Sequence, residues 1–166
     1  MSKIQKFLAF FGRIFISAIF LYSATMKIMD WQASETLITN LICDWHASVS
    51  SPLLEKILET LLPYNTFILI LSIALEILGG LLVFFGFYVR SGALLLLGYM
   101  IPVTLLTYQF WNTDPVDANQ MMHDFLKNLS LVGALFTLLA FGAGDEGKDE
   151  GEFMNEKGNN PFNKGL

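Results

Sequence analysis

Glu76 stands in the middle of an apolar run, TFILILSIALEILGGLLVFFGFY (66–88), that is long enough to cross a bilayer. It is the only acidic or basic residue in that run. A carboxylate at such depth costs about 3 kcal/mol unless it is paired, protonated or facing water. A group kept at that cost is a functional candidate. Lys27, His123 and Lys127 lie in or beside other apolar runs, as does Arg13. His123 and Lys127 are four residues apart and share one helix face. Tyr108 adds a phenol near the end of a third run. A carboxylate that can hold or release a proton, set among nitrogen and phenol donors, is suited to proton relay and to hydrogen-bonding an uncharged polar ligand. Glu76, Lys127 and His123 are therefore the expected relay. Lys127 or Lys27 is the expected partner of Glu76, with Arg13 as a third candidate. The competing reading is structural, with buried polar groups acting as glue between membrane helices.

The elements that must position these groups are membrane spans. The chain is 54% hydrophobic and 15% charged, where soluble domains carry about 25% charged residues. A mean hydropathy of +0.52 agrees with that contrast. Four segments pass the length test: 7–29, 66–88, 91–111 and 124–142. The second and third are close enough in sequence to form an antiparallel hairpin, with Arg90 in the link. The expected fold class is an all-α membrane protein, a bundle of four transmembrane helices occupying residues 1–143.

Basic residues near the span ends set the orientation. Lys3, Lys6, Arg13 and Arg90 predict a cytoplasmic N-terminus and, with four spans, a cytoplasmic C-terminus. The loops on the opposite side hold mainly acids, among them Asp30, Glu35, Glu55, Glu59 and Asp114, and also Trp31, Trp45 and Trp111, which suits an interfacial aromatic belt. Every span then contributes polar groups to the outer leaflet. Lys3 and Lys6, the apolar stretch 14–21 and the small pair Ser23-Ala24 also resemble a secretory signal peptide. Arg13, which breaks the apolar run immediately before that stretch, and Lys27 beyond it argue that the segment is retained.

Residues 30–65 are more than a loop. Leu37, Ile38, Leu41, Ile42 and Trp45 recur at helical spacing, and so do Leu54, Ile57, Leu58, Leu61 and Leu62. Ser51 and Pro52 suit the N-cap and first turn of the second segment, and Pro63 its end. Two short amphipathic helices lying in the outer interface are predicted. Residues 144–166 (GDEGKDEGEFMNEKGNNPFNKGL) combine charge with Gly and Asn, cannot bury a core, and read as a disordered cytoplasmic tail.

Several chemistries are not expected. Cys43 is the only cysteine, which excludes an intramolecular disulfide and a cysteine-built zinc site. An unpaired thiol is a simpler reading than a Cys43–His46 metal pair, and no metal site is expected. No phosphate loop, HExxH, GxSxG or dinucleotide fingerprint occurs. No basic face for nucleic acid is present.

Three stretches, GRIFISAIFLYSATMKIMDW (12–31), EILGGLLVFFGFYVRSGALLLL (76–97) and HDFLKNLSLVGALF (123–136), give the chain a family resemblance. It resembles the DoxX family of four-helix membrane proteins. The matching positions are Arg13, Ala24 and Lys27 in span one, then Glu76, Gly79, Gly80, Gly86 and Arg90, then Lys127-Asn128. Ala24 replaces a glycine often found before the lysine. The family takes its name from a subunit associated with a thiosulfate:quinone oxidoreductase, and other members are linked to oxidant resistance and thiol balance. The resemblance implies an inner-membrane protein that supports quinone-linked redox or thiol and oxidant homeostasis. Lys27, Lys127, His123 and Tyr108 would form a quinone pocket in the outer leaflet, with a redox partner protein or a soluble reductant supplying electrons. The rival class is non-enzymatic: a small-solute transporter or an assembly factor for a membrane complex, using the same polar track.

Overall fold

A computed structural model describes residues 3–48 and 51–142. Six α-helices account for nearly all of them: α1 (Lys3–Met29), α2 (Trp31–Ser48), α3 (Pro52–Leu61), α4 (Asn65–Phe85), α5 (Val89–Thr107) and α6 (Pro115–Phe141). Short 3-10 turns at Leu62–Tyr64 and Phe110–Asn112 join α3 to α4 and lead from α5 toward α6. Among the described residues there is no strand. The all-α expectation holds, and α1, α4, α5 and α6 lie in four stretches long and apolar enough to cross a membrane. The expected tail, 144–166, lies outside the described residues.

Local chemistry explains most of the boundaries. Pro52 occupies the first turn of α3 after an extended Ser51, as expected, although the Ser51 hydroxyl makes no capping bond. The α3 helix ends at Leu61, beside Pro63 as expected, and Pro63 sits in the 3-10 turn that leads into α4. The α4 helix stops at Gly86, whose φ of +79° is the left-handed conformation that glycine adopts without a Cβ penalty. The α4–α5 link is therefore Gly86, Phe87 and Tyr88, and Arg90 falls in the first turn of α5 rather than in the link. Its Nη2 donates to the Ala140 carbonyl at 3.3 Å, satisfying a free acceptor at the end of α6. The α6 helix begins at Pro115, well before the expected start at 124. Its first turns carry Asp117, His123 and Asp124, which mask a helix when hydropathy alone is read.

The four long helices pack in the order α1, α4, α5, α6, with α4 and α5 central. Small residues set the two close crossings. A Cβ on Gly79 would come within 2.7 Å of Leu96 and 3.1 Å of the Gly92 carbonyl, so α4 and α5 approach through Gly79 and Gly92. Gly80 faces α1 instead, where a Cβ would lie 3.0 Å from Leu21. Ala24 is buried in the same α1–α4 seam against Leu69 and Ile73. A second apolar core joins Phe20, Val83, Leu96 and Leu135 from all four helices. The large apolar side chains left exposed, such as Phe7, Phe15, Phe67 and Leu94, face outward as lipid-facing residues do.

The α2–α3 hairpin covers one end of this arrangement. Trp45 Nε1 donates to the Leu106 carbonyl at 3.0 Å, near the C-terminus of α5. Asn65 Nδ2 donates to Thr39 Oγ1 at 2.9 Å, and Thr66 Oγ1 donates to Glu35. These bonds tie α2 to the starts and ends of two spans.

Candidate functional site

Glu76 is 1% exposed. Its position follows from the glycines one turn further along α4: Gly79 lets α5 approach on one side and Gly80 lets α1 approach on the other. Both neighbours are then close enough for side chains to meet the carboxylate. Ser23 and Lys27, four apart on α1, share the face turned to α4. Ser23 Oγ donates to Glu76 Oε1 at 2.8 Å, and Lys27 Nζ donates to Glu76 Oε2 at 2.8 Å. Lys27 Nζ also donates to Tyr99 Oη at 2.6 Å and lies 4.5 Å from that ring's centre. Each carboxylate oxygen therefore has a donor, and the buried negative charge has a cation against it. This is the condition under which an ion pair survives in low dielectric.

The ion pair is not sealed in the protein. A cavity of about 490 Å³ runs from it toward the α2–α3 hairpin. Lys27, Glu76, Ser23 and Tyr99 form its polar end, and Tyr108 and Asn128 add two more polar groups along the wall. Most of the remaining lining is aliphatic, including Ile38, Leu41, Ile42, Leu58, Leu69 and Val103. Residues from α2 and α3 supply the roof, with Trp45 among them. Asn128 is held in place by donating to Thr104 Oγ1 at 3.3 Å.

The expected site residues divide into two groups. Glu76, Lys27 and Tyr108 all line this one cavity. His123 and Lys127 do not line it. His123 is exposed. The Lys127 side chain is 71% exposed, and its Nζ donates to Asp124 Oδ1 at 2.9 Å. The partner of Glu76 is thus Lys27 and not Lys127. Arg13 is not the partner either: its guanidinium packs against Gly86, a point about 15 Å along α4 from Glu76 at 1.5 Å per residue. Tyr99 is not among the expected site residues. Its signal was its register, since Gly92, Leu96 and Tyr99 recur on one face of α5, the face that meets α4 at Gly79.

The DoxX family profile matches residues 8–109. The chain belongs to the DoxX family. The match spans α1 to the end of α5, so it includes Ser23, Lys27, Glu76, Tyr99 and the α2–α3 hairpin, while Lys127-Asn128 lies beyond it. No curated protein and no solved structure is a match to this chain. A DoxX-family chain with these four spans is a multi-pass membrane protein.

Proposed function

We propose that this DoxX-family protein is a bacterial inner-membrane subunit that binds a quinone-like ligand in the cavity, in support of redox or thiol and oxidant homeostasis. One observation carries the reading: the Lys27–Glu76–Tyr99 cluster lies at the end of a cavity whose lining is mostly apolar. Such a cavity fits a molecule with an apolar body and a hydrogen-bonding head. Lys27 and Tyr99 are the donors for a ring carbonyl. Because Lys27 already donates to Tyr99 Oη, the tyrosine's own proton is available to a ligand. Glu76 fixes the ammonium through a 2.8 Å bond and offers a site where a proton can be held. A bound quinone would supply two-electron, two-proton chemistry. The electrons would come from a redox partner protein or a soluble reductant. The basic residues Lys3, Lys6, Arg13 and Arg90 support an orientation with cytoplasmic termini, in which the cavity lies in the outer leaflet.

The test is binding of a short-chain quinone to the purified protein in detergent, followed by quenching of tryptophan fluorescence. Saturable quenching that weakens about tenfold in Tyr99→Phe, the loss expected for one hydrogen bond of about 1.4 kcal/mol, supports the reading. Quenching that is unsaturable, or equal in both proteins, refutes it.

A further inference from the structure

The α2–α3 hairpin carries a second cluster, separate from the cavity's polar end. His46 lies near the end of α2, and Glu55 and Glu59 lie one turn apart on the facing side of α3. His46 Nε2 is 3.7 Å from Glu59 Oε1 and 3.9 Å from Glu55 Oε1. All three ligand atoms fall within 4.8 Å of one another. These separations are too long for direct hydrogen bonds. The two histidine–glutamate distances suit atoms that share one ion, because two ligands each about 2.1 Å from a zinc ion lie roughly 3–4 Å apart.

A second observation concerns the histidine alone. Its side chain is 35% exposed, yet the Nε2 atom itself is shut off from solvent and has no hydrogen-bond partner. An imidazole nitrogen withdrawn from water, unbonded and facing two carboxylates, lacks a partner that a cation would supply.

We propose that His46, Glu55 and Glu59 bind a divalent transition-metal ion, of which zinc is the best match. One imidazole and two carboxylates form a borderline donor set that favours zinc over calcium or magnesium, which prefer all-oxygen shells. The glutamates are 52% and 63% exposed, so the ion keeps positions open to water. Cys43, the residue that sequence would pair with His46, is not in the cluster; the other ligands come from α3. The site bridges α2 and α3, whose Trp45, Leu41, Leu58 and Leu61 roof the cavity. Occupancy therefore staples the two halves of the roof together. The assignment holds whatever the cavity binds.

The experiment uses the full-length protein without a histidine tag, in lipid nanodiscs, stripped by a chelator and titrated with Zn²⁺ by calorimetry. The expected result is one saturable ion per chain, not displaced by millimolar Ca²⁺. Affinity should fall about 100-fold in His46→Gln and in Glu55→Gln/Glu59→Gln, since even outer-shell changes at metal sites cost about 10–100-fold. The unfolding midpoint should rise with Zn²⁺ in the parent protein and not in these variants. Glu55→Gln alone, on an exposed helix face, provides the same reading should His46→Gln fail to fold. Absence of saturable binding would leave only an ionic cluster and overturn the proposal. Binding unchanged in the variants, or readily displaced by Ca²⁺, would overturn it equally.

Discussion

Lys27 Nζ lies 2.8 Å from Glu76 Oε2, and the two residues are 23% and 1% exposed. The contact joins α1 to α4 and ends at Tyr99 of α5, so a single ammonium group ties three of the four spans together. Removing one partner strands the other. Lys27→Met should destabilise the protein by about 3 kcal/mol, the range for breaking a buried pair. Adding Glu76→Gln should recover part of that loss, because an amide needs no counter-charge and contacting groups couple by about 0.5–3 kcal/mol. Denaturant titration in mild detergent measures the cycle. Additive losses would mean the pair is not a unit.

Glu76→Gln alone should be tolerated better than Glu76→Leu. Glutamine keeps one acceptor oxygen for the Lys27 ammonium, and its amide NH2 can donate to the Ser23 hydroxyl oxygen in place of the bond that hydroxyl now donates. Leucine leaves both donors unsatisfied, at about 1–3 kcal/mol each, more for the charged one. Unfolding midpoints of the two variants decide it, and equal midpoints would contradict the buried network.

The glycines offer a paired test. Gly79→Ala should destabilise by about 1–3 kcal/mol, because the new Cβ meets Leu96 at 2.7 Å and the Gly92 carbonyl at 3.1 Å. Gly98→Ala and Gly133→Ala have nothing within 4 Å of the new atom. They should be neutral or stabilising by about 0.5–1 kcal/mol through reduced chain entropy. The same unfolding assay ranks all three.

How much of this was legible in the sequence depends on depth versus azimuth. Hydropathy reports depth, and it found the four spans and placed Glu76, Lys27 and Tyr108 in the same region. It does not report which way a helix is turned. Lys127 and Asn128 are adjacent, but successive residues on an α-helix point about 100° apart. Asn128 turns inward to Thr104 and Lys127 turns outward to Asp124. Lys27 faces inward because Ala24 and Phe20, on the same side of α1, are buried against the neighbouring helices. Tyr99 escaped notice because an aromatic residue in an apolar span reads as packing. The two helices of the 30–65 segment were visible from their apolar spacing. Their role as a roof was not, since it depends on bonds such as Trp45 to Leu106 that join residues far apart in sequence.

The N-terminal segment should stay attached in the mature protein. It supplies Ser23 and Lys27 to the Glu76 site, and Arg13 interrupts the apolar stretch that a signal peptide requires. Intact-mass measurement of the protein from its native membrane should give the uncleaved chain. Loss of about 23–25 residues, a length typical of signal peptides, would contradict this.

The central claim is that a quinone-like ligand occupies the cavity ending at Lys27, Glu76 and Tyr99. The most direct measurement is photolabelling of the membrane-embedded protein with an azido-quinone, followed by peptide mass mapping with and without excess unlabelled quinone. The account predicts labels on cavity-lining residues of α1, α4 and α5, such as Phe20, Leu69 and Val103, and on Trp45 or Leu58 of the roof, all suppressed by competitor. Labels confined to outward-facing residues such as Phe7, Phe15 and Phe67, or undiminished by competitor, would contradict it.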